Sequence, residues 1–182
     1  MLSPPRAAAN SPPRGLAEVP TFHEVFAQYS PFVWRALARL GVRAGDVPDA
    51  CQEAFLVVHR RLDTFDANRG SLKSWVYGIC VRIASDYRRR RPNNETAEAL
   101  ASIAVDGEPK GELLARRAWA KLARVLERLD EVQREAFVLY ELEGLPMLEV
   151  AGALGCPLQT AYSRLHAARR AVLAAFTVEE SP

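Results

Sequence analysis

From Thr21 onward, apolar residues recur at steps of three and four, the period of a helix with one buried face. Phe22, Val25, Phe26, Tyr29, Val33, Leu37 and Leu40 form the first such run, and Gly41 ends it. A second run has Asp46 near its start, carries Val47, Ala50, Cys51, Ala54, Phe55 and Val58, and ends at Leu62. Asp63 to Gly70 is polar and reads as a loop, after which Ser71 is placed to cap a third helix reaching about Arg91. Trp75, Val76, Ile79, Ile83 and Tyr87 mark its inner face, and Pro92 stops it. After a stretch rich in Pro, Gly and Asn the period returns. One helix spans about 112 to 129, with Leu114, Ala118, Leu122, Val125, Leu126 and Leu129 inward. Another spans about 132 to 143, with Ala136, Phe137, Leu139, Tyr140 and Leu142, and Gly144 closes it. Pro146 and Pro157 open two more. No alternating strand pattern and no internal repeat breaks this reading.

The pattern therefore predicts an all-α chain of two small helical domains joined by a flexible linker. The segments are a Pro-rich tail (1–20), a first domain (21–92), a linker (93–111), a second domain (112–176) and a short tail (177–182). The 182 residues suffice for two such cores. No apolar run approaches the roughly 20 residues that span a bilayer, and the N-terminus lacks a signal-peptide pattern, so a cytoplasmic protein is expected.

Charge sharpens the picture. The whole chain carries only +2. Residues 21–92 hold 12 Lys and Arg against 7 Asp and Glu, whereas residues 93–112 hold 1 against 5. Local basic faces rather than global charge would have to meet a polyanion. Cys51, Cys80 and Cys156 are odd in number and widely spaced, which fits small core residues in a reducing compartment better than a disulfide or zinc framework. No nucleophile, metal or phosphate-loop constellation is present in the sequence, so neither an enzyme nor a cofactor is expected, and no metal.

Residues 144–173, GLPMLEVAGALGCPLQTAYSRLHAARRAVL, have the form of a helix-turn-helix. Ala151 is small where two helices would cross, and Gly155, four residues on, suits the positive φ of the turn. Val150, Leu154, Cys156, Ala161 and Leu165 supply the inner face. Gln159, Thr160, Tyr162, Ser163, Arg164, His166, Arg169 and Arg170 are left outward or along the edges, those near the helix start for bases and Arg169 and Arg170 for phosphates. In the first domain, Asp49, Gln52 and Glu53 lie away from the apolar stripe, as a solvated face or a docking face. Lys73, Arg82 and Arg88 to Arg91, interleaved with Trp75, Tyr77 and Tyr87, suit melted DNA, although Trp75 reads first as a core residue and the arginines equally as a solvated helix end.

With these motifs in order, the chain resembles the extracytoplasmic-function group of bacterial RNA polymerase sigma factors. The resemblance covers about residues 21–175 and rests on GDVPDACQEAF (45–55), GSLKSWVYGICVRIASDYRRRR (70–91) and the segment 129–173. It implies that Asp49, Gln52 and Glu53 dock on the coiled coil of the largest polymerase subunit. It implies that Asn68, Arg69, Gly70, Ser71, Lys73, Arg82, Ser85, Asp86, Arg88 and Arg89 capture and open the promoter −10 element. The helix-turn-helix would read the −35 element beside the polymerase flap, and the acidic linker would thread toward the RNA exit path. An anti-sigma partner is also implied, which would hold the chain near the membrane, whereas in the holoenzyme it would lie at the nucleoid. Arg82 departs from some members, which carry Asn there, and Tyr162 from many, which carry Lys or Arg. Two other readings remain: a stand-alone helix-turn-helix regulator, and an adaptor that mimics a sigma factor and only occupies polymerase.

Overall fold

The computed structural model describes residues 20–90 and 112–177. The Pro-rich tail before residue 20, residues 91–111 with the linker, and the last five residues lie outside the described residues, as does the side chain of Leu114, and so do the readings made for them. Seven α-helices make up the described chain: α1 (Phe22–Arg39), α2 (Val47–Arg61), α3 (Leu72–Arg90), α4 (Glu112–Arg128), α5 (Glu131–Phe137), α6 (Met147–Leu154) and α7 (Leu158–Thr177). Strands are absent among the described residues. Each boundary has a local cause. The Thr21 hydroxyl accepts from the Glu24 N–H at 3.3 Å and the Glu24 carboxylate accepts from the Thr21 N–H at 2.8 Å, a reciprocal cap for α1. Ser71 caps α3 as expected, its Oγ accepting from the Ser74 N–H at 3.1 Å.

α1, α2 and α3 pack as one three-helix unit around Val25, Val33, Leu37, Val47, Val58 and Val76, all fully buried. α5, α6 and α7 form the second unit around Leu139, Val150, Ala161 and Leu165, with α4 laid against α7. The two units do not stand apart. α3 packs along α6, and one continuous apolar core runs from Val25 through Ile79 and Leu139 to Ala168.

Three details depart from simple helical periodicity. Phe26, assigned to the first apolar stripe, is 46% exposed and rests on Phe55 at 4.7 Å between ring centres. Ala118, expected inward, is exposed; Ala123 lies buried further along α4. The helix expected over 132–143 changes pitch at Val138, where a π-turn, Val138–Leu142, closes with the Glu143 N–H donating to the Val138 carbonyl at 3.0 Å. That widened turn carries Glu143 toward the first unit.

Candidate nucleic-acid and polymerase interface

The helix-turn-helix is built as its residues require. Gly155 takes φ +61 and ψ +35 at the end of α6, a conformation a Cβ disfavours. Its neighbour Cys156 donates its N–H to the Ala151 carbonyl at 3.1 Å, which closes the turn. Val150, Ala151, Ala161 and Leu165 are buried beneath it, while Leu154 and Cys156 are half-buried. On α7, Gln159, Tyr162, Ser163, His166, Arg169 and Arg170 are exposed, and Thr160 and Arg164 half-exposed. The Ser163 hydroxyl donates back to the Thr160 carbonyl at 2.9 Å, so its oxygen is partly used within the helix. Arg169 Nε pairs with Glu141 at 2.5 Å, and its guanidinium lies 5.4 Å over the Tyr140 ring. Arg164 approaches Glu135, whose carboxyl is pushed up by burial and only partly compensated by Arg88 and Arg164.

The α3 face is different. Asn68 and Arg69 stand exposed in the loop before it, where the Asn68 N–H donates to Asp66 Oδ1 at 2.9 Å. Arg82 and Arg89 are exposed, and Arg89 pairs with Asp86. The other four residues predicted for this face meet the second unit. Ser71 Oγ bonds the Glu149 carboxylate. Lys73 Nζ donates to the Glu143 backbone carbonyl at 2.6 Å. Ser85 bonds the Glu131 side chain, and Arg88 spans the Leu40 carbonyl, Glu131 and Glu135, the last at 3.1 Å. Glu131 is partly buried, which opposes ionisation, yet the bonds from Ser85 and Arg88 and the charge of Arg88 hold it below the ordinary carboxylate range.

Between α3 and α5 lies a groove of about 540 Å³, lined by Val81, Arg82, Ser85 and Arg89 on one side and Glu131, Val132 and Glu135 on the other. Glu143 forms a separate buried hub with Arg39, Lys73 and Tyr77. Its side chain is 6% exposed and pairs with Arg39 at 2.6 Å. Burial and this carboxylate together push the Tyr77 phenol far above its usual range. Tyr77 is fully buried, its ring 4.1 Å from that of Phe32, so it belongs to the core and not to a base-stacking surface. Trp75 is half-buried against Phe65 at 5.8 Å.

On α2, Asp49 and Gln52 are exposed and Glu53 half-buried. Burial, Glu53 and Asp49 raise the Tyr87 phenol, which hydrogen-bonds Glu53, so the end of α3 braces the acidic trio. Leu56, 48% exposed one turn further along the same face, escaped the sequence reading; its signal was an apolar residue on the polar side of the stripe. Among the described residues, no helix is long and apolar enough to cross a membrane and no group of His, Cys, Asp or Glu could hold a metal. The thiols of Cys51 and Cys80 are both pushed up by burial, which lowers their reactivity.

Two family models match the chain: sigma-70 region 2 over residues 25–93 and sigma-70 region 4 over residues 119–172. The ECF RNA polymerase sigma-E factor of Escherichia coli K12 is 33% identical in an alignment 142 residues long that covers 72% of this chain and 74% of that protein. Its counterpart in Haemophilus influenzae is 29% identical in an alignment 164 residues long that covers 83% and 85% of the two chains. Among solved structures, the sigma factor RpoE of Bartonella quintana, in complex with the anti-sigma factor NepR, matches with a TM-score of 0.68 at 20% identity, over 87% of this chain and 98% of that one. CnrH, in complex with the cytosolic domain of CnrY, gives 0.66 at 24% identity, over 87% and 89%. Both structures share the fold.

Proposed function

This chain belongs to the extracytoplasmic-function group of the sigma-70 family, sigma factors that direct promoter-specific transcription, and we propose how its residues divide that work. The first domain, 21–92, docks on the coiled coil of the largest polymerase subunit through Asp49, Gln52 and Glu53. Asn68, Arg69, Ser71, Lys73, Arg82, Ser85, Asp86, Arg88 and Arg89 take the −10 element. The second domain, 112–176, reads the −35 element with Gln159, Thr160, Tyr162, Ser163, Arg164 and His166, while Arg169 and Arg170 meet phosphates near the polymerase flap. The role is binding, not catalysis. An anti-sigma factor is the expected restraint, as the two structural neighbours were solved with such partners or with the domain of another protein. The protein works in the cytoplasm, at the nucleoid when bound to polymerase.

The observation that carries the proposal is the pairing of two separate polar faces on one small chain. α7 presents a polar and basic surface behind a well-formed turn, and α3 carries a second one, of which Arg82 and Arg89 are exposed and Ser71, Lys73, Ser85 and Arg88 meet the other unit. Held a fixed distance apart by polymerase, two weak contacts act at high effective concentration, which makes a nearly neutral chain specific. Opening DNA requires a few kcal/mol per extruded base, supplied by pocketing the base.

The test is transcription in vitro with core polymerase, with and without this protein, on a genomic fragment library. New 5′ ends sharing one upstream and one downstream motif are the expected result. Docking without new transcripts would leave the adaptor reading, and duplex binding without docking the stand-alone regulator.

A further inference from the structure

The outward side of α7 is polar except for two neighbours. Leu158, the first residue of the helix, is 41% exposed and Tyr162 is 40% exposed. Four residues apart on a helix, their side chains lie side by side on one flank, about 5–6 Å apart at Cβ. The inward positions of α7 are taken by Ala161, Leu165 and Ala168, all buried. Gln159, Ser163 and His166 stand exposed beside the pair. A single exposed leucine on a protein surface needs no cause. An adjacent apolar pair on a face otherwise built for polar contact points to something apolar that it meets. The pair also sits at the start of α7, three residues after the turn at Gly155. That is the end of a helix-turn-helix that comes nearest to base edges.

The major groove offers such a pair one partner. Base edges display hydrogen-bond donors and acceptors there, which gain nothing from an aliphatic side chain or a ring edge. The single apolar group among them is the 5-methyl of thymine. Phosphates are poor neighbours for the pair as well, since neither side chain carries a charge. We infer that Leu158 and Tyr162 form an apolar cleft that receives the 5-methyl group of a thymine, so that the upstream element of this chain carries a thymine where they lie. The inference rests on the −35 assignment made above and names a base within it. It adds Leu158 to the reading residues and gives Tyr162 a definite task. A Lys or Arg at position 162 would seek the O6 and N7 of guanine, whereas the tyrosine ring turns the preference toward thymine. The ring makes the contact, and the Tyr162 hydroxyl is not needed for it.

Deoxyuridine tests this, because it differs from thymidine only in lacking the 5-methyl group. The full-length chain with core polymerase first gives its upstream element by transcription of a promoter library. Each thymine of that element, on either strand, is then replaced singly by deoxyuridine in a synthetic promoter. At limiting holoenzyme one position is expected to lose about fourfold in transcription, the worth of one buried methyl group. The double variant Leu158→Ala with Tyr162→Ala should transcribe the thymine and deoxyuridine promoters equally, and Tyr162→Phe should keep the preference for thymine. Equal use of every deoxyuridine promoter by the native chain, or a preference that persists in the double variant, would overturn the inference and leave the sigma reading intact. Loss of core binding by the double variant would assign the pair to polymerase and overturn the inference too. A native chain that directs no promoter-specific transcripts would instead remove the sigma reading, and the inference with it. Should the double variant not fold, the response of the native chain to deoxyuridine decides the matter alone.

Discussion

The faces of α3 and α7 have the same chemistry and opposite circumstances. Both are helices with Arg, Ser and a flanking aromatic on the outward side. On α7 most of these side chains look into solvent, and Arg169 meets the partly exposed Glu141 and the Tyr140 ring. On α3 four of them are bonded to the other domain, and Arg88 is 12% exposed against a Glu135 that is 8% exposed. The difference lies not in the helices but in what is packed on them. The face proposed for the upstream element is exposed, whereas four residues of the face proposed for the downstream element are covered.

The comparison can be broken at its strongest point first. Arg88→Ala leaves Glu135 buried without its main cation, and loss of about 3–5 kcal/mol of stability is expected for such a pair. Denaturant unfolding checks it, and a change under about 1 kcal/mol would mean the pair is open to water. Leu165→Ala removes a fully buried side chain beneath the turn and should lower stability by about 2–5 kcal/mol in the same assay. Arg164→Ala is next: about 1–3 kcal/mol weaker promoter binding, read as initial transcription rate against promoter concentration, with global stability retained. The smallest effect belongs to Glu141→Gln. Both partners of the Arg169 pair are partly exposed, so stability should change by no more than about 1 kcal/mol, and less in high salt.

Helices and inner faces were legible in the sequence wherever a single period governed them. α2 and α3 come from their stripes, the Ser71 cap from one hydroxyl, and the turn at Gly155 from one glycine. The pitch change at Val138 was not legible, because a π-turn keeps the same apolar residues and only rotates the residues beyond it. Phe26 was misplaced because an aromatic at the rim of a stripe has the period of a core residue. Among the site residues, the outward set on α7 needed only helical geometry. The covering of Ser71, Lys73, Ser85 and Arg88 needed the position of a second domain, which no local pattern encodes. Tyr77 reads as a surface aromatic beside Lys73 in sequence, yet the approach of Phe32 and Glu143 buries it.

The central claim is that two helices each read one promoter element. It is tested most directly by transcription from a promoter library in which the upstream and downstream blocks are randomised separately. Arg82→Ala and Arg164→Ala would be compared with the native chain. The account predicts that Arg164→Ala relaxes sequence preference only in the upstream block and Arg82→Ala only in the downstream block. A variant that relaxes both blocks, or neither, would contradict it.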